Sequence, residues 1–365
     1  MNIRIEYLDE FSEASYERLL LSVKTTLIYS SLNYRNFLQR ILEDSKSHYL
    51  LAYDGEELVG ALPAFVKFNN SYGNILNSLP FYGSNGSPII SPRCHNPNDV
   101  KETLLRAFHE LGLHYQVVTS TLITNPLEQH NPDEGVLNST WKDVRIGQFT
   151  QLPSEWYDED DLQSHLMKSF HKKTRNSIRK AEKNNVIVAH SSSLETLKKM
   201  AAMHQENVES IGGLAKPWPV FAAINKTFTY DQNYRVYTAE RNGELIAALL
   251  VFFYNQTAEY FTPTTLEGAR FYQPMSLLIF EAMKEAAKRG YLYWNWGGTW
   301  ITQSGVYKFK SRWGTQDRRY YYYIQEYNKD NPLRELTAQE IQTEFPYFYV
   351  LPFKTLRSEK NKSGQ

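Results

Sequence analysis

The 365-residue chain has a single cysteine, Cys94. It can form no internal disulfide and no cysteine-based zinc site, and it suits a reducing compartment. Charge of either sign is not in excess: 40 Lys and Arg face 40 Asp and Glu. A chain-wide attraction to DNA or to a membrane surface is therefore excluded, and any polyanion contact must come from a local patch. The longest apolar runs, such as Leu245–Phe253, are too short to span a bilayer. The first twenty residues carry Glu6, Asp9, Glu10, Glu13 and Glu17 in place of a cationic start and an apolar leader. A cytoplasmic protein without an integral membrane segment is the expectation. No G-x-S-x-G elbow, no setting for a cysteine nucleophile and no metal-ligand spacing of histidines is found, so no metal centre is expected. Aromatic residues are plentiful, at 26 Tyr, 19 Phe and 7 Trp, and supply contact area with a polar handle.

The length points to two domains, and an internal repeat divides the chain in the same way. Residues 49–65 read YLLAYDGEELVGALPAF and residues 236–252 read VYTAERNGELIAALLVF, with Glu244-Leu245 following Glu57-Leu58 by 187 residues. Each copy predicts a strand, a tight turn at Asp54-Gly55 or Asn242-Gly243, and a nearly all-apolar second strand. Helices are predicted before the hairpins, at Tyr34–Glu43 in the first half and at Leu194–Val208 and Pro219–Lys226 in the second. A longer helix follows each, at Asp99–Leu111 and Gln273–Arg289, and then a short strand, Tyr115–Thr119 or Tyr291–Trp296. In the second late helix, Met275, Leu278, Ile279, Ala282, Met283 and Ala286 recur at helical spacing, with Pro274 at the start and Gly290 at the end. The strand after it runs into Gly297-Gly298-Thr299, read as a flexible turn where a ligand of an open α/β sheet would bind.

Between the halves, residues 165–185 read HLMKSFHKKTRNSIRKAEKNN, with seven cationic side chains against Glu182 alone. Read as one helix, Met167, Phe170, Ile178 and Ala181 share a face, and Lys172, Arg175, Arg179 and Lys183 line the opposite one. Neighbouring like charges repel by a few tenths of a kcal/mol each, roughly, and a bound polyanion relieves this. The four are candidates for binding the phosphates of a donor, a tRNA or a nucleotide-sugar.

Residues 290–314 read GYLYWNWGGTWITQSGVYKFKSRWG. With Arg175 and Arg179-Lys180-Ala181-Glu182-Lys183 opening the second half, the Gly-Gly element, and then Phe309-Lys310 followed by Gly314, the sequence resembles the Fem family of peptidoglycan-bridge aminoacyltransferases. It resembles the shorter members without a coiled-coil arm. The resemblance implies an α/β (mixed α+β) fold of two tandem GNAT-like domains, each a mixed, mostly antiparallel sheet flanked by helices. The first is expected at 1–155, a degenerate half that shapes the acceptor groove. The second is expected at 156–355, the catalytic half, and 356–365 form a frayed tail.

The same resemblance implies the chemistry. An amine attacks an activated ester or thioester, and the tetrahedral oxyanion is stabilised by a positioned donor. Lys310 matches the family lysine near this centre, and the Phe309 carbonyl matches a group that orients the attacking amine. Catalysis then rests on proximity and desolvation, by direct attack without a covalent enzyme intermediate, with which the missing nucleophile motifs agree. Tyr260, Arg270 and Tyr272, with Tyr307 and Arg35, are the candidate acceptor-binding residues. No bound cofactor is implied. The donor is an aminoacyl-tRNA or a similar activated species, and the acceptor an amine on a cell-envelope precursor. An acyl-CoA-dependent N-acyltransferase acting on an amino sugar is the alternative enzyme, although Glu267–Met275 and Pro92–Asp99 lack the R/Q-x-x-G-x-G/A loop that cradles the CoA pyrophosphate. An alternative of another class is a non-catalytic RNA-binding protein that uses the basic face.

Overall fold

The computed structural model describes residues 3–81, 83–128, 134–300, 303–328 and 330–358. From the N-terminus the elements are β1 (Ile3–Tyr7), α1 (Glu13–Ser22), α2 (Leu32–Ile41), β2 (Ser45–Asp54), β3 (Glu57–Lys67), β4 (Ile75–Asn77), β5 (Ile89–Ile90), α3 (Pro97–His114), β6 (Thr119–Ile123), α4 (Glu134–Leu137) and β7 (Trp141–Gln151). There follow α5 (Glu159–Ser169), α6 (Lys172–Lys183), β8 (Ile187–His190), α7 (Leu194–Glu209), α8 (Trp218–Thr227), β9 (Tyr234–Arg241), β10 (Glu244–Tyr254), β11 (Thr257–Thr265), α9 (Pro274–Lys288), β12 (Tyr293–Trp300), α10 (Ser304–Ser311), β13 (Thr315–Glu326) and α11 (Ala338–Glu344).

The chain forms two compact units, one of residues 1–145 with 319–365 and one of residues 146–318. This differs from a single division near 155. Residues 319–326 belong with the first unit because β13 pairs with β6 there, Tyr322 opposite Ile123 and Glu326 opposite Thr119. The tail expected to fray lies outside the described residues from 359 onward.

In the first unit the strand order is β1-β2-β3-β4-β6-β13, with β5 on β3. All pairs are antiparallel except β4 with β6. Helix α3 crosses between those two parallel strands and buries Val100, Leu104, Leu105, Phe108 and Leu111, joining a core with Leu62, Ala64 and Leu122. The second unit repeats the order as β8-β9-β10-β11-β12-β7, again antiparallel until the parallel pair β11 with β12. Helix α9 crosses between those two strands. Its stripe of Leu278, Ile279, Ala282, Met283 and Ala286 is buried against Val251, Phe253 and Trp294. The mixed α/β architecture is that of two GNAT-like repeats.

Three local expectations change. Residues 165–185 are two helices: Phe170 leaves the helical path at ψ 148 as the C-cap of α5, and the His171 imidazole then caps α6 by accepting the Lys173 N–H at 3.1 Å. The break lets the Phe170 ring pack 5.0 Å from Trp313. The first short strand begins at Thr119, since α3 runs on to His114 and Gln116 ends it at φ 50. Gly297-Gly298-Thr299 lies inside β12; Gly297, at φ 69, kinks the strand there.

Candidate active site

The geometry of the second unit's site begins where two strands part. β11 and β12 pair over three residues, Thr257 with Tyr293, Ala258 with Trp294 and Glu259 with Asn295. Beyond that point β11 carries a bulge at Phe261, because Leu250 faces Thr262 while Val251 faces Tyr260. Such a bulge re-aims a strand and marks a place where pairing ends. Ligands of sheets with parallel strands bind beyond the carboxyl ends of those strands. Here that region is bordered by Tyr260, by Trp296 to Thr299, and by α10.

Lys310, on the last turn of α10, is 6% exposed. Its ammonium donates to the Gly298 carbonyl at 3.1 Å, to Thr299 Oγ1 at 3.0 Å and, at the outer limit of a hydrogen bond, to the Gly297 carbonyl at 3.5 Å. Burial pushes its pKa down to about 8, opposed by the negative charge of Glu259. Glu259 is 2% exposed, and both its oxygens accept from Asn295 Nδ2, at 2.9 and 2.8 Å. Asn295 Oδ1 in turn accepts the Gly297 N–H at 2.9 Å. Sequence reading missed Glu259, Asn295 and Thr299. The available signal was a carboxylate in the strand segment TAEYF, facing the one asparagine of YWNW.

Phe309 precedes Lys310; the residue is 37% exposed, with its ring 6.2 Å from that of Trp296. Its carbonyl accepts the Arg312 N–H at 3.4 Å, a long bond that leaves acceptor capacity. Trp313, which follows α10, is buried. Thr150 Oγ1 ties this layer together, donating to the Trp313 carbonyl and accepting from Trp296 Nε1, both at 2.9 Å. Gly314, at φ 70, closes the element. A Cβ there would lie 2.9 Å from the Ser169 carbonyl, which is why glycine follows the Phe-Lys pair.

The other candidates divide. Tyr260 sits beside this centre, its ring 5.1 Å from Trp296, and burial raises its phenol's pKa. Tyr307, on α10, donates to Asp317 at 2.7 Å. Arg270 is exposed on the turn before α9, and Tyr272 is half-buried under the Arg241 guanidinium, 4.1 Å from its centroid. Arg35 belongs to the first unit, where its guanidinium is engaged by Glu13 at 2.6 Å.

On α6, Lys172, Arg179 and Lys183 are exposed, as the basic face requires. Arg175 differs. It is half-buried and donates to the Phe170 and Met167 carbonyls, satisfying the end of α5. Arg175 and Arg179 line an open cleft of about 600 Å³ between α5 and α6, with Lys168, Asp160 and Glu182.

The first unit has the same parallel pair in β4 and β6, ending at Asn77 opposite Thr121. There the place corresponding to Glu259 and Asn295 is filled. Asn77 donates to the Tyr349 carbonyl and accepts its N–H, both at 2.8 Å, and Thr121 Oγ1 reaches the same carbonyl at 3.4 Å.

Among the described residues no cluster of side chains could hold a metal ion, and no helix is long and apolar enough to cross a membrane. Residues 168–311 match the model of the acetyltransferase (GNAT) domain. No curated protein matches the chain. Among solved structures, FemX superposes with a TM-score of 0.67 at 12% identity, over 88% of this chain and 97% of that one. A tandem GNAT protein from the clavulanic acid biosynthesis pathway gives 0.54 at 11% identity, over 89% and 98%. L-PGS from Bacillus licheniformis gives 0.51 at 11% identity, over 89% and 94%. At such identities the likeness is one of fold.

Proposed function

We propose that this chain, a GNAT-type acyltransferase with its matched domain at residues 168–311, moves an acyl or aminoacyl group from an activated ester or thioester to an amine of a cell-envelope precursor. The second unit carries the reaction. The observation that carries this reading is the buried Lys310 ammonium at the parting of β11 and β12, held by three oxygens of β12.

The acceptor amine attacks the carbonyl carbon of the donor, and the C=O electron pair moves onto oxygen. The bond to Gly297 is the weakest that Lys310 makes, so its N–H is the one free to swing to the oxyanion at low cost. Charge-assisted donation in a dry site is worth far more than in water. The Phe309 carbonyl accepts an N–H of the amine and sets its lone pair toward the carbon. Collapse of the intermediate expels the alkoxide or thiolate, which leaves with the proton lost by the amine. Tyr260 walls the site, and Tyr307 lies on the same helix as Lys310. The exposed cations of α6, Lys172, Arg179 and Lys183, attract the phosphates of the donor. In the first unit the Tyr349 segment occupies the corresponding place, consistent with a half that shapes the acceptor site and does no chemistry.

The test is equilibrium binding of uncharged tRNA and of CoA to wild type and to Arg179→Glu. Binding of tRNA that weakens steeply with salt and is lost in the variant supports an aminoacyl-tRNA donor. CoA binding without tRNA binding replaces it with an acyl-CoA donor and an amino-sugar acceptor. Salt-sensitive RNA binding with no transfer by any donor overturns the enzymatic reading.

A further inference from the structure

Withdrawing a carboxylate from water costs several kcal/mol, roughly, unless its charge and lone pairs are matched. Glu259 is nearly inaccessible, and Asn295 Nδ2 donates to both its oxygens. That arrangement fixes a direction. An amide bound to a carboxylate must present its nitrogen there, so Asn295 Oδ1 is forced to the far side, where it accepts the Gly297 N–H. The bond holds Gly297 at φ 69. In this conformation the carbonyls of Gly297 and Gly298 both reach the Lys310 ammonium.

Resting on the reading of Lys310 as the oxyanion donor, we infer that Glu259 is a positioning residue: through Asn295 and Gly297 it sets the carbonyl cradle that aims Lys310, and it supplies the negative charge facing that ammonium. Other charges do not substitute for it. On α10, Lys308 is exposed and Tyr307 is engaged by Asp317. On β12 the groups nearest Lys310 are the neutral Gly297, Gly298 and Thr299. On β11 the next titratable group, Tyr260, is held as a neutral phenol by burial. Arg312, beyond α10, is half-buried and of the wrong sign. The first unit lacks the device, with Asn77 and Thr121 at the matching pair.

The experiment is an NMR titration of the full-length protein labelled with 13Cε-lysine, with the Lys310 resonance assigned by its loss in Lys310→Arg. Glu259→Gln removes the charge and keeps the shape; the Lys310 midpoint falls by about one pH unit, a tenfold change in its protonation constant. Asn295→Ser keeps the charge but cannot span to Gly297; the Lys310 resonance moves and broadens as the cradle loosens. Glu259→Asp restores part of the Glu259→Gln shift. A Lys310 midpoint and line shape unchanged in both folded variants overturns the inference, and if Glu259→Gln does not fold, Asn295→Ser alone decides it. The titration needs neither donor nor acceptor. Failure of acyl transfer with a normal response of Lys310 therefore counts against the reaction and not against the clamp, while transfer with an unmoved Lys310 counts against the clamp.

Discussion

Val59 and Ile246, 187 residues apart, are the same residue of two copies of one hairpin. Each is the extra residue of a bulge: Val59 stands between Leu58, opposite Tyr53, and Gly60, opposite Ala52, and Ile246 stands between Leu245, opposite Glu240, and Ala247, opposite Ala239. Both are buried. A bulge is a specific departure from the ladder, so its recurrence at the offset read from Glu57 and Glu244 is stronger support for duplication than the recurrence of helices and strands. The two units differ at the parallel pair, Asn77 and Thr121 in one, Glu259 and Asn295 in the other.

That divergence predicts a structural role for Asn77. Asn77→Leu removes both bonds to the Tyr349 backbone and leaves buried groups unmatched, costing about 2 kcal/mol or more. Chemical denaturation reads the loss.

Gly314→Ala forces a side chain into the left-handed region and against the Ser169 carbonyl, 2.9 Å from the new Cβ. A loss of about 1–3 kcal/mol is expected, seen as a lower thermal midpoint. Because Gly314 fixes the end of α10, the variant also loses transfer activity at temperatures where it remains folded.

Lys310 makes stability and catalysis respond to pH in opposite directions. Its folded pKa, about 8, lies below the ordinary 10.5. Between those values the unfolded chain binds more protons than the folded one, so stability rises with pH. Relative to Lys310→Met, wild type therefore gains stability from about pH 8 to about pH 10, as denaturation at several pH values will record. Over the same window Lys310 loses its charge, and with Lys310 as the proposed oxyanion donor, kcat at saturating substrate is expected to fall. In Lys310→Arg that fall disappears, since a guanidinium stays charged.

Arg175 and Arg179 separate by role. Arg175→Glu removes donors from the carbonyls that end α5 and places an anion beside them, so it destabilises the fold by roughly 1–3 kcal/mol. Arg179→Glu, on an exposed turn, changes stability by less than about 0.5 kcal/mol. If the donor is a tRNA, as proposed, it reduces the salt dependence of that binding by about one phosphate contact or more. A double substitution confounds the two effects; the single variants, read by melting and by binding, do not.

Much of this protein was written in local sequence. The Asn242-Gly243 turn, the apolar stripe of α9 between Pro274 and Gly290, and the repeat of Glu57-Leu58 in Glu244-Leu245 each follow from backbone preference or side-chain period over a dozen residues; they gave the two halves and their order of elements, while the fold class came from the resemblance to the Fem family. The break at Phe170 did not. Lys168 to Lys183 has helical period throughout, yet the chain leaves the helix at Phe170, whose ring packs against Trp313, far along the sequence. The partner of β6 was equally hidden, since β13 reaches it from near the C-terminus and nothing local to either strand encodes their pairing. So too with the site. Lys310 could be singled out as a residue, but its burial, its lowered pKa and its place beside Glu259 and Asn295 arise only when α10, β11 and β12 are brought together, because electrostatic environment is a property of packed neighbours and not of adjacent residues.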